Sequence, residues 1–171
     1  MRDHSSPAAP FARAKKSLGQ NFLQDPGVAR RIVDLLGIRA GDRVLEIGPG
    51  RGALTGLLAR ELEAAGGGSL SAVEKDTDLA ARLRISLPSC AVTEGDALKH
   101  PWESLDGEKV AGNLPYNIAS RLIWDLAGRG AGMALGVFMV QHEVALRLTS
   151  GPGGKEYGAL GAWVLNFCRT R

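Results

Sequence analysis

An α/β fold of the Rossmann-like, doubly wound kind, with a mainly parallel sheet, is predicted by three features of the sequence. Five short β-prone runs recur along the chain, segments with helical apolar spacing follow them, and the first run ends in the glycine-rich turn Gly48-Pro49-Gly50-Arg51-Gly52. The 171 residues suit one domain; with 44% hydrophobic side chains and a formal net charge of +3, the chain is too apolar and too weakly charged for disorder. Its longest apolar run, 133–140, is interrupted by Gly136 and falls far short of the roughly 18 residues a membrane helix needs. Two cysteines, Cys90 and Cys168, make no disulfide framework, and residues 1–7 lead into no apolar signal core, so a cytoplasmic protein is expected. A pI near 9.1 permits a polyanionic partner without requiring one.

The elements follow in order. Residues 1–13, with Pro7 and Pro10, read as a mobile tail, and 14–171 as the folded domain. Asp25-Pro26 reads as an N-cap followed by proline at the first helical position, and Val28, Ala29, Ile32, Val33 and Leu36 share one helical face that Gly37 ends. The first strand is 43–47, and Leu54, Leu57, Leu58 and Leu62 mark a helix over 53–62. A second strand covers 70–74, with a helix through Leu79 and Leu83; a weak third covers 91–93 and ends at Glu94-Gly95-Asp96. The fourth strand is 109–113, before a helix carrying Ile118, Leu122, Ile123 and Leu126. A fifth covers 134–141, Val144, Ala145 and Leu148 suggest a short helix, 151–154 is a glycine-proline loop, and a helical segment through Leu160, Val164 and Leu165 closes the chain.

In a doubly wound sheet, ligands bind beyond the carboxyl ends of the strands. Gly48, Gly50 and Ala53 satisfy the dinucleotide fingerprint G-x-G-x-x-[GA], so an NAD reading stands beside a tight structural turn. A pyrophosphate, however, favours a positive helix N-terminus without a neighbouring anion, and Glu46 lies two residues before Gly48. An acid there better suits S-adenosylmethionine, which carries an ammonium and a sulfonium and no phosphate. Glu74 ends the second strand, where a carboxylate accepts ribose hydroxyls in either cofactor. Asp96 is placed either to hold an adenine amine or simply to cap the next turn. After the fourth strand comes Asn113-Leu114-Pro115-Tyr116: an amide acceptor, a fixed turn and a flat aromatic face, which together suit a planar base with an exocyclic amine. His4, His100 and His142 lack paired ligand spacing, and no metal is expected.

From about residue 14 onward the sequence resembles the small-subunit ribosomal RNA adenine N6-dimethyltransferases. The resemblance rests on Lys16-Ser17-Leu18-Gly19-Gln20-Asn21-Phe22-Leu23, on Glu46-Ile47-Gly48-Pro49-Gly50, on Asn113-Leu114-Pro115-Tyr116-Asn117, and on Gln141-His142-Glu143-Val144 followed by Gly151-Pro152 and Tyr157-Gly158. Each string is weak alone; in this order and at this spacing they are specific. The resemblance implies a class I methyltransferase that uses S-adenosylmethionine to dimethylate N6 of two adjacent adenosines in a hairpin near the 3′ end of small-subunit rRNA, during ribosome biogenesis. It implies that Asn21, Leu23, Gly48, Gly50, Glu74, Asp96 and Asn113 bind the cofactor, and that Asn113, Leu114, Pro115 and Tyr116 form the catalytic edge. It also implies that Arg13, Lys15 and Lys16, otherwise a solvated basic tail, meet RNA.

Members of that family continue through a strand hairpin into a small helical domain, which this sequence lacks, so a truncated catalytic domain is expected. Its fifth strand would then be left with an apolar, unpaired edge and the chain would self-associate through it. Two alternatives stay open: a large-subunit rRNA adenine dimethyltransferase of the macrolide-resistance type, and a non-catalytic ribosome-assembly factor that retains the cofactor pocket.

Overall fold

A computed structural model describes residues 21–171; the expected tail at 1–13, and with it Arg13, Lys15 and Lys16, lies outside the described residues. Helix α1 (Pro26–Leu36) begins where its cap demands: the Asp25 carboxylate accepts the N–H groups of Gly27 at 2.7 Å and Val28 at 3.3 Å. Pro26 sits in the first turn, where its missing N–H costs nothing. The Gly37 N–H closes the helix on the Asp34 carbonyl. Then come β1 (Arg43–Ile47), α2 (Ala53–Ala64), β2 (Ser69–Glu74), α3 (Thr77–Ser86), β3 (Cys90–Glu94), β4 (Lys109–Asn113), α4 (Ala119–Arg129), β5 (Leu135–Met139), α5 (His142–Thr149) and α6 (Ala159–Leu165).

The five strands are all parallel, in the order β3-β2-β1-β4-β5. The chain therefore runs outward from β1 to one edge, crosses back, and continues outward from β4, so the crevice opens between the ends of β1 and β4. Strand side chains alternate between two cores. Leu45, Ile47, Val73 and Val110 pack on one face with buried residues of α4, α5 and α6; Val44, Leu70, Ala72 and Ala111 pack on the other with α1 and α2. The β1–β4 contact is unusually close: a Cβ on Gly112 would lie 2.7 Å from the Ile47 carbonyl oxygen, so only glycine allows this approach.

Two expectations are corrected, and two short elements were not anticipated. The fifth strand is shorter than 134–141, because Gln141 leaves the sheet to cap α5 in an extended conformation. Ile118 lies outside α4 as its cap (φ −122°, ψ −11°), since Pro115 starts a turn whose carbonyl receives the Ile118 N–H at 3.1 Å. Between β3 and β4, two single 3-10 turns, Ala97–Lys99 and Trp102–Ser104, escaped the periodicity reading because elements of three residues have no period. The second buries Trp102 completely.

Among the described residues, β5 pairs with β4 on one side only, and all five of its residues are half-buried. No helix among them is long and apolar enough to cross a membrane.

Candidate active site

The carboxyl ends of β1, β2, β3 and β4 surround an open cleft. Asn21, Gly48, Gly50, Glu74, Asp96, Asn113 and Pro115 all line it, so most of the residues chosen from sequence converge on one place. Leu23 lines a smaller adjoining recess, together with Glu46 and Arg51.

The glycine turn forms the floor. Gly48 has φ +65°, and no heavy atom lies within 4 Å of where its Cβ would project, so the backbone there is open to close approach. Glu74 fixes the turn from below: its Oε2 accepts the Gly50 N–H at 2.9 Å and its Oε1 the Asp76 N–H at 2.8 Å. Only 5% exposed, Glu74 thus ties the end of β2 to the loop after β1. The Arg51 guanidinium lies 4.2 Å from the centre of the Phe22 ring, closing the adjoining recess.

Glu46 is buried behind the turn. Its Oε2 and the Thr55 hydroxyl oxygen are both buried without a hydrogen-bond partner. Burial pushes the Glu46 carboxyl up to about 8, Thr55 pulling it down and the Glu74 charge adding to the rise. The rise favours the protonated form of this side chain near neutral pH.

Asp96 fulfils the plainer of its two readings and retains the other. Its Oδ1 accepts the Leu98 N–H at 3.0 Å and caps the Ala97–Lys99 turn, while Oδ2 faces Lys75 Nζ at 2.8 Å. The bond from Lys75 and, against burial, the Leu98 N–H hold its carboxyl below the usual range.

At the end of β4, Asn113 Nδ2 donates to the Asn21 carbonyl at 2.6 Å. A carbonyl only accepts, so the amide is oriented with Oδ1 away from Asn21, and that oxygen is buried without a partner. Asn113 itself belongs to the cleft wall. Leu114 is placed differently from a catalytic side chain: it is 1% exposed within the core, and its N–H donates to the Met139 carbonyl at 3.0 Å. What Leu114 offers the loop is backbone. Tyr116 stands outside the cleft lining and is 46% exposed. Sequence reasoning missed Lys75, Asn117 and Ile118 in the lining; Lys75 was findable as the residue that follows Glu74 at a strand end.

These residues accommodate an adenosyl cofactor: an open glycine cradle, an acid at the second strand end and another after the third. Comparison with known proteins points the same way. The chain is 55% identical over 161 residues to the ribosomal RNA small subunit methyltransferase A of Maridesulfovibrio salexigens, a match covering 92% of this chain and 59% of that protein. It is 47% identical to the protein of the same name from Nitratidesulfovibrio vulgaris, over 92% of this chain and 60% of the relative. The chain thus spans about three fifths of the length of these relatives. Among solved structures, a dimethyladenosine transferase from Plasmodium falciparum superposes with a TM-score of 0.71 at 29% identity, covering 87% of this chain and 54% of that one. The 23S rRNA methyltransferase ErmE follows with a TM-score of 0.65 at 28% identity, covering 75% and 51%. The model of the ribosomal RNA adenine dimethylase family matches residues 11–171, and the chain belongs to that family.

Proposed function

We propose that this chain is the catalytic part of an S-adenosylmethionine-dependent enzyme that dimethylates N6 of two adjacent adenosines in small-subunit rRNA, working in the cytoplasm on the pre-ribosomal small subunit. The observation that carries the reading is the buried, unpartnered Asn113 Oδ1 at the cleft wall. The adenine amine has two N–H donors and a lone pair delocalised into its ring, which makes it a poor nucleophile. Asn113 Oδ1 accepts one of these N–H groups, and a backbone carbonyl of the 113–115 turn accepts the other. Held this way, the nitrogen is drawn toward tetrahedral geometry and its lone pair turns toward the cleft. Pro115 fixes the turn, and the exposed Tyr116 ring offers a stacking face for the base. The cofactor, when bound, supplies an electrophilic methyl group. Glu74 and Asp96 are set to receive the ribose hydroxyls and the adenine amine of that cofactor, and the open backbone at Gly48 its methionine part. Orientation of the two reactants supplies most of the acceleration, and alkylation itself acidifies the proton that must leave. Arg13, Lys15 and Lys16 are proposed to contact RNA phosphates, a role their charge suits.

Calorimetric titration with S-adenosylhomocysteine tests the cofactor site. Saturable binding is expected, and Glu74→Gln should weaken it by about 1–3 kcal/mol, the cost of losing charge-assisted hydrogen bonds. Absence of binding to the folded wild-type chain would reject the assignment.

Among the described residues the side of β5 away from β4 is unpaired, which supports a second expectation, that this chain self-associates by strand addition along residues 135–139. Sedimentation should show concentration-dependent dimers, and amide exchange should slow in β5 as they form. A monomer at all concentrations with strongly protected β5 amides would show that the edge is covered within the chain.

A further inference from the structure

Lys75 and Asp96 join the ends of β2 and β3 across the wall of the cleft, with Nζ 2.8 Å from Oδ2, and both residues line it. Asp96 Oδ1 is already committed to the Leu98 N–H, so the lysine engages the second oxygen of the same carboxylate. The Lys75 side chain is 56% exposed, which makes this an exchangeable bridge. Lys99 adds a second positive charge near the carboxylate.

An ionised carboxylate only accepts hydrogen bonds and an ammonium only donates them. On the cofactor reading above, on which this inference rests, Asp96 must accept an exocyclic purine amine. That amine and the Lys75 ammonium are both donors competing for Oδ2. A purine with an oxo group at the same position presents an acceptor, which the carboxylate repels and the ammonium attracts. The geometry points to Lys75 as a latch on the base subsite: it swings off Asp96 to admit a 6-amino purine, costs that ligand affinity, and gives a 6-oxo purine a foothold. Lys75 is thereby a specificity-determining residue that blunts the selectivity Asp96 alone would confer.

Lys75→Met removes the ammonium and keeps an unbranched stem of similar length. With the chain as it stands, the variant is expected to bind S-adenosylhomocysteine about 2- to 5-fold tighter at low salt, the range of an exposed ion pair. The gain should shrink at about 0.5 M salt, where the pair in the wild type is screened. S-inosylhomocysteine should move the opposite way and bind the variant more weakly. Opposite shifts for the two ligands support the latch, because a merely structural role for Lys75 would move both together. Shifts in one direction, or no shift for either ligand, overturn it. If S-adenosylhomocysteine binds wild type and variant equally, the latch alone fails; if it binds neither while both keep their far-UV circular dichroism, the cofactor reading fails and the latch with it.

Discussion

Asn113→Ala is expected to lower methyl transfer by about 100-fold or more, the scale seen when one positioned hydrogen-bonding group is removed from a reacting centre. Two losses combine at this position. The variant deletes Oδ1, a buried acceptor without a partner, and it also deletes the Nδ2 bond of 2.6 Å that ties β4 to the Asn21 carbonyl. The first loss falls on the target amine and the second on the segment that walls the cofactor cleft, so cofactor affinity should drop as well. Tyr116→Ala separates the two effects. The residue is 46% exposed and outside the cleft lining, so the variant should lose about 1–3 kcal/mol of base stacking and keep its affinity for S-adenosylhomocysteine. The measurement is single-turnover transfer of labelled methyl groups to unmodified small ribosomal subunits, by a protein that carries this sequence at its relatives' full length, with calorimetry of both variants alongside. Near-normal transfer by Asn113→Ala would remove the catalytic edge from β4.

The strands and helices of the sheet were legible because each long enough element carries a period or a cap. Asp25-Pro26 announces α1, Gly37 stops it, and the continuous burial of Val44, Leu45 and Ile47, shared between two cores, follows from a strand covered on both faces. The candidate cleft was legible where chemistry and strand ends coincide, since Gly48, Glu74, Asp96 and Asn113 all line it. What remained hidden depends on three-dimensional neighbours. Nothing local distinguishes Leu114, whose side chain turns into the core, from Pro115, which lines the cleft. Trp102 is fully buried by a three-residue turn that leaves no periodic trace. Gly112 reads as an ordinary strand residue until the β1 backbone is seen against it. The competition between Lys75 and a ligand for Asp96 requires β2 and β3 to be adjacent, which is a property of the topology.

Glu46→Gln is expected to raise stability at pH 8 and to flatten its fall across neutral pH. In the folded chain burial holds the Glu46 proton up to about 8, whereas an ordinary glutamate releases it near 4.5. Between those values the folded state binds more protons than the unfolded state, so stability declines as pH rises and the decline is complete above about 8. A separation of this size corresponds to several kcal/mol at most, a large share of the roughly 5–15 kcal/mol that holds a domain of this kind together. Glutamine keeps the shape and a polar group beside Thr55 and carries no charge, so the contribution from this site disappears. Other buried groups leave the comparison intact. Burial lowers the His100 pKa, which erodes stability only as pH falls below its ordinary 6.5, and in both proteins alike. The Cys90 thiol, pushed up to about 11 chiefly by burial, acts only on the alkaline side of its ordinary value. Urea titrations at pH 5 and pH 8 read the effect directly: the wild type should lose stability relative to Glu46→Gln between the two. Parallel pH profiles for the two proteins would mean that Glu46 is ionised in the fold with a cation against it, and the acid behind the glycine turn would then be a standing negative charge.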